Sequence, residues 1–351
     1  MTAPATPTPA TPTAASGAAP RGLALSPSRA IDFKQCPLKY RLRAIDRIPE
    51  PPGRYAVRGT LVHSVLESLY GLPSGERVPD RADTLVTPAW ERLLAERPEV
   101  GALVPDGPEG FLDEVRRLVR GYYRLEDPTA FEPQSCESLI EVELADGSPL
   151  RGYVDRIDVA PTGQLRVVDY KTGRAPAIGF EGRALFQLKF YALIMLRTRG
   201  VVPAQLRLLY LADGQILTYL PDESGLLGFE RILSALWTAI STAGRTGDFP
   251  ANPSRACEFC DYRALCPAQG GTPPPYPGWP ESGPTPPTHP GWPESGPTPP
   301  THPSRPESGP TPPTHPSRPE SGPTPPPYPS RPESAPTPPP YPDRPESGPD
   351  R

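Results

Sequence analysis

The chain has 351 residues, 59 of them Pro, and a formal net charge of −4. That much proline excludes one continuous core, and the near balance of charge gives no bulk attraction to nucleic acid, so any affinity for phosphate has to be local. Residues 1–22 are rich in Ala, Thr and Pro, with neither an apolar leader nor a membrane span, so a disordered arm on a cytoplasmic protein is expected.

From residue 23 the pattern changes, and residues 23–269 are expected to form one folded unit. Apolar spacing predicts helices over residues 26–34, 59–70, 87–96 and 110–126. Between Lys34 and Arg58 lie seven Lys or Arg (Lys34, Lys39, Arg41, Arg43, Arg47, Arg54, Arg58) against only Asp46 and Glu50. This stretch suits either phosphate contact or a solvated basic face. Strands are predicted over residues 138–144, 150–159 and 164–170, then a helix over 182–198. Two further strands, 205–211 and 215–220, flank the turn pair Asp213-Gly214, and a last helix covers 225–243. This order predicts an α/β fold with a central mixed sheet covered by helices on both faces.

Beyond residue 269 the composition turns to Pro, Gly, Ser and Thr. A 13-residue repeat, first seen whole from Pro277 to His289, runs toward the end without Ile, Val, Leu or Met. Such units have no apolar face to stack, so residues 270–351 are expected to be an extended, disordered tail, a spacer or a ligand for proline-reading domains.

The segment Gly152-Tyr-Val-Asp155-Arg-Ile-Asp158, a turn at residues 160–163, and Val168-Asp169-Tyr170-Lys171-Thr-Gly173 carry the chemistry. If the two strands pair about a turn centred on Thr162, residues whose numbers sum to 324 face one another, which sets Asp155 opposite Asp169. Facing carboxylates repel in a bare sheet. A hard divalent cation removes that repulsion, since it prefers carboxylate oxygens. Side chains alternate along a strand, so Lys171 projects to the side of Asp169 while Tyr170 points away. Two acids and an amine around one point suit phosphodiester hydrolysis, although the same acids also read as ordinary strand-end and turn residues.

These motifs resemble the nuclease domain of RecB-type exonucleases, of the PD-(D/E)xK kind, and the related CRISPR-associated adaptation nucleases. Upstream, Arg58-Gly-Thr-Leu-Val-His63-Ser-Val-Leu-Glu67 is similar to the helix that supplies a metal-binding His in that family. Downstream, Gln187-Leu-Lys-Phe-Tyr191 is similar to its Q-x-x-x-Y helix, associated with DNA handling. The resemblance spans about residues 23–269. It implies a restriction-endonuclease-like core holding Mg2+ or Mn2+ through His63, Asp155, Asp169 and the carbonyl of Tyr170. It implies Lys171 as the catalytic amine, with Glu67, Gln187 and Tyr191 as supporting or DNA-positioning groups. His63 and Glu67 share a helical face, and neutral imidazole is a common metal ligand.

Four cysteines stand out. Cys257, Cys260 and Cys266 form C-x2-C-x5-C, and Cys36 lies alone near the start of the fold. Three clustered thiolates plus one distant one suit a 4Fe-4S cluster. A four-cysteine zinc site and disulfides are the alternatives, the first disfavoured by the single C-x2-C knuckle and the second by the expected compartment. The arrangement resembles that of AddB-type nucleases in order and spacing. Cys136 fits neither pattern and is expected to be a buried thiol.

The expected function is therefore a metal-dependent DNA exonuclease acting on single-strand ends in repair or recombination, with a helicase partner suggested by the resemblance. A non-catalytic iron-sulfur DNA-binding module, or an interaction protein working through its Pro-rich tail, are the other classes the sequence admits.

Overall fold

A computed structural model describes residues 23–279. The expectations for residues 1–22 and 280–351 lie outside the described residues.

The fold begins with α1 (Pro27–Gln35), where Ser26 caps the Arg29 amide and Pro27 takes the first helical position. After Cys36 comes α2 (Pro37–Tyr40), which passes into a π turn over Arg41–Ile45. A helical layer follows: α3 (Arg54–Tyr70), α4 (Pro79–Glu96) and α5 (Glu109–Tyr122). Next are β1 (Ser135–Glu143), β2 (Pro149–Val159), β3 (Leu165–Lys171), α6 (Gly182–Arg199), β4 (Gln205–Tyr210), β5 (Gln215–Tyr219) and α7 (Glu223–Thr246).

The strands form one sheet in the order β1-β2-β3-β4-β5, antiparallel throughout except for the parallel β3–β4 pair. This is the expected α/β architecture with a mixed sheet. Alternation along the strands feeds two cores. Val167, Leu206 and Leu208 pack with α1, α6 and α7, whereas Val168, Tyr170, Leu209 and Leu211 pack with α3, α4 and α5. Each fully buried Leu or Val side chain contributes roughly 1.5–3 kcal/mol.

Two helix starts differ from the sequence reading. α3 begins at Arg54, ahead of residue 59, and α4 at Pro79, ahead of residue 87. Pro88 reads as a first-turn proline, but Pro79 holds that position, and the buried face Ala82, Val86, Ala89, Trp90 and Leu93 runs straight through Pro88. Packing here outweighs local propensity.

Five of the seven basic residues in this stretch are ion-paired. Lys39 and Arg43 pair with Asp32, Arg43 also with Glu50, Arg41 with Asp46, and Arg54 and Arg58 with Glu114. Past residue 269, Tyr276 and Trp279 pack against the core.

On the α3–α5 side of β2, Arg156 is 0% exposed. It donates to the hydroxyls of Tyr70 and Tyr170 at 2.8 Å and of Tyr122 at 3.1 Å, to Glu126 at 2.6 Å and to Asp158 at 3.0 Å. Removing one member of such a buried set strands the opposite charges. Arg156→Leu should therefore cost about 3–5 kcal/mol, read from urea unfolding; a loss below about 1 kcal/mol would mean that Glu126 and Asp158 are satisfied without it.

Candidate active site

The β2–β3 hairpin sets the centre of the site. Its pairs Arg156 with Val168, Ile157 with Val167 and Asp158 with Arg166 all sum to 324, the expected register. The turn closes with Ala160 accepting from Gly163 and donating to Gln164, and Gly163 takes φ 83°, a conformation that favours glycine. One step past the last pair, Asp155 and Asp169 stand abreast. The ladder opens here, because the Tyr170 amide donates to Asp155 Oδ2 at 2.7 Å.

A third carboxylate extends the row. β1 pairs Cys136 with Arg156 and Ser138 with Val154, so Glu137 lies opposite Asp155. Glu137 has φ 45°, a rare and costly backbone for a residue with a side chain. The sequence reading missed it by starting β1 at residue 138, yet the Asp146-Gly147 turn carried the signal. Counting outward from that turn, as from Thr162, brings Glu137 to Asp155.

From α3, His63 reaches into this row. Its Nδ1 lies 3.4 Å from Asp155 Oδ2 and 3.5 Å from Glu137 Oε1, and its Nε2 is 3.0 Å from the Tyr170 carbonyl. Ligand atoms of His63, Glu137 and Asp155 all fall within 4.8 Å of one another. Only an imidazolium satisfies acceptors at both ring nitrogens. Burial alone would lower its pKa, but Asp155, Glu137 and Asp169 outweigh burial and raise it to about 9. Asp155 is itself raised well above the usual carboxylate range, by burial first and by Asp169 second.

Asp169 is held from two sides. Gln187 Nε2 donates to its Oδ1 at 2.6 Å and lies 3.1 Å from the Tyr191 hydroxyl. Lys171 Nζ pairs with its Oδ2 at 2.6 Å. Burial opposes the charge on Lys171, yet Asp169 and Asp155 raise its pKa above the ordinary value. Tyr170 points the other way, its hydroxyl on Arg156. Glu67, one turn beyond His63 on α3, sits at the solvent edge. Its carboxyl is raised by loss of surrounding water and by Glu137, and it stands outside the His63–Glu137–Asp155 set.

His63, Glu137 and Asp155, with the Tyr170 carbonyl beside them, offer an imidazole nitrogen and hard oxygens, a donor set that fits a divalent cation. At the rim, Tyr55 is 76% exposed under the Arg58 guanidinium, and Arg58 donates to the Thr172 carbonyl at 3.3 Å. In the loop between β3 and α6, Ile178 is 96% exposed and Phe180 79% exposed.

The four cysteines Cys36, Cys257, Cys260 and Cys266 line one pocket of about 50 Å³ beside Leu42 and Tyr262. Backbone amides of Asn252 and Ser254 donate to the Cys36 and Cys257 sulfurs, at 3.5 Å and 3.3 Å. Among the described residues no three thiols lie within 4.8 Å of one another, so they do not form a ready-made single-ion set. Cys136 stands apart, its pKa pushed by burial to about 12.

Residues 24–267 match the sequence profile of the PD-(D/E)XK nuclease superfamily. The gene 69 protein of Mycobacterium phage D29 is 30% identical over 196 residues, 50% of this chain and 70% of that protein. The gene 69 protein of Mycobacterium phage L5 is 25% identical over 284 residues, 69% of this chain and 95% of that protein. Among solved structures, a Eubacterium rectale protein provisionally designated an exonuclease aligns with a TM-score of 0.43 at 13% identity, covering 68% of this chain and 87% of that one. No helix among the described residues is long and apolar enough to cross a membrane.

The charges at His63 and Asp155 fix a pH dependence. In a chelator the folded protein holds more protons at these two groups than the unfolded chain does. The His63 contribution is thus complete below pH 6.5 and is lost as pH rises through about 9. The unfolding free energy of the wild type minus that of His63→Gln should shrink across this window, and magnesium should flatten the change. A difference that grows with pH would reject the imidazolium.

Proposed function

We propose, from the premise that this chain belongs to the PD-(D/E)XK nuclease superfamily, that it is a metal-dependent deoxyribonuclease whose site is built by His63, Asp155, Asp169 and Lys171, with Glu137 beside them. The observation that carries this reading is the row of acids on three neighbouring strands, two of which meet His63 within 4.8 Å while the third pairs with Lys171. His63, Asp155, Asp169 and the Tyr170 carbonyl would hold Mg2+ or Mn2+. When bound, such an ion lowers the pKa of a water and offsets charge on a phosphate oxygen. Lys171 orients the attacking water or donates to the phosphate as its charge grows. Gln187 holds Asp169 in place, Tyr191 supports Gln187, and Glu67 serves at the edge facing solvent.

Single-stranded DNA is the substrate this reading favours. Tyr55, Phe180 and Arg58 offer aromatic and cationic faces on which unpaired bases stack. Exonucleolytic action, a role in repair or recombination and a helicase partner are what the RecB-type resemblance suggests, and a cytoplasmic setting is proposed with them. With magnesium and end-labelled single-stranded DNA, Lys171→Ala should lose at least about 100-fold in cleavage rate while still binding DNA. Equal cutting by both proteins would reject the site.

The cysteine pocket is proposed to hold a 4Fe-4S cluster. The reading is supported by four thiols from two distant segments and by backbone donors on two of the sulfurs, a feature that tunes such clusters. Protein purified without oxygen should be brown and lose its visible absorption in Cys266→Ser; a colourless, zinc-loaded preparation would decide for zinc.

A further inference from the structure

The first stretch of the Pro-rich region lies against the core. Residues 273–279 read Pro-Pro-Pro-Tyr-Pro-Gly-Trp. Pro273, Pro274, Tyr276 and Trp279 are half-buried, whereas Pro275, Pro277 and Gly278 are exposed. Residues 273, 276 and 279 recur every three, as one face of an extended proline-rich chain does.

Each contact has a matching feature on the fold. Arg41 donates to the Pro274 carbonyl and lies 5.1 Å from the Tyr276 ring centroid. The Tyr276 hydroxyl donates to the Gly244 carbonyl at 2.6 Å, and its ring lies 5.7 Å from that of Phe249. Trp279 packs against Trp237 at 6.1 Å between ring centroids. A Cβ on Gly244 would overlap the six-membered ring of Trp279, so the last turn of α7 is flat where the indole lies. Glycine is disfavoured within a helix, and here its missing side chain makes the seat.

The same pattern occurs once more. Residues 286–292 read Pro-Pro-Thr-His-Pro-Gly-Trp, identical at five of seven positions. One difference, Thr288, falls where Pro275 is exposed. The other places His289, a second flat ring with a donor, at the position of Tyr276. Later copies replace Gly-Trp with Ser-Arg or Asp-Arg, so two segments alone carry the full apolar pattern.

We propose that the groove formed by Arg41, Trp237, Gly244, Gly247 and Phe249 is a binding site for proline-rich segments ending in Trp, and that residues 286–292 occupy it in exchange with residues 273–279. The exchange lengthens the loop after Gly271 by one repeat, and closure cost rises only logarithmically with length. The core thereby reads its own tail.

Fluorotryptophan NMR of the full chain tests this. The four signals arise from Trp90, Trp237, Trp279 and Trp292, and Trp90, buried in the other core, reports that each variant is folded. In Trp279→Ala the Trp292 signal should move to the seated position while Trp237 keeps its wild-type shift. In Trp279→Ala/Trp292→Ala, and in Trp279→Ala/Gly244→Ala, the Trp237 signal should move to that of an uncovered face. A Trp292 signal unmoved in Trp279→Ala, with Trp237 already at its uncovered position, would overturn the proposal. Should Trp279→Ala disturb Trp90, Trp279→Arg, which copies Arg305 two repeats on, makes the same comparison.

Discussion

Keeping three carboxylates abreast on neighbouring strands is the constraint around which the rest of this protein is arranged. Glu137, Asp155 and Asp169 face one another across β1, β2 and β3, and water screens them little at that depth. Like charges in such positions destabilise a sheet. Every neighbour answers this repulsion: an imidazolium from α3, the ammonium of Lys171, the amide of Gln187, and the backbone of Tyr170. A divalent ion would do the same work with one centre of charge, which is why the arrangement reads as a metal site.

The opposite face of the same strands is also ionic, but closed. Arg156 follows Asp155 in sequence and therefore projects to the other side, where three tyrosines and two acids surround it. Asp155 meets the open site and Arg156 the sealed one. The Arg156 side chain is 0% exposed on the closed side, whereas Lys171 on the open side is 32% exposed.

Much of this was legible in the sequence because strands count in twos. The turn at Thr162 fixed the pairing of Asp155 with Asp169, and alternation placed Lys171 with them and Tyr170 away. Glu137 escaped because strand ends are decided by neighbours, and its left-handed backbone falls where a propensity reading ends the strand. The paired state of the basic stretch was equally hidden, since its partners Asp32 and Glu114 lie on other helices. The anchored Tyr276 and Trp279 escaped for a related reason. Proline-rich composition signals the lack of a core within the segment and says nothing about a core it can lean on.

Tyr170 divides its work by atom. Its amide and carbonyl serve Asp155 and His63, and its phenol serves Arg156. Any residue other than proline supplies the amide, and all supply the carbonyl, so the middle letter of the Asp-x-Lys triplet is chosen by the closed side, where its ring packs and its hydroxyl accepts from Arg156. An exchange there would alter how firmly the scaffold is braced and leave the polar groups presented to substrate in kind unchanged.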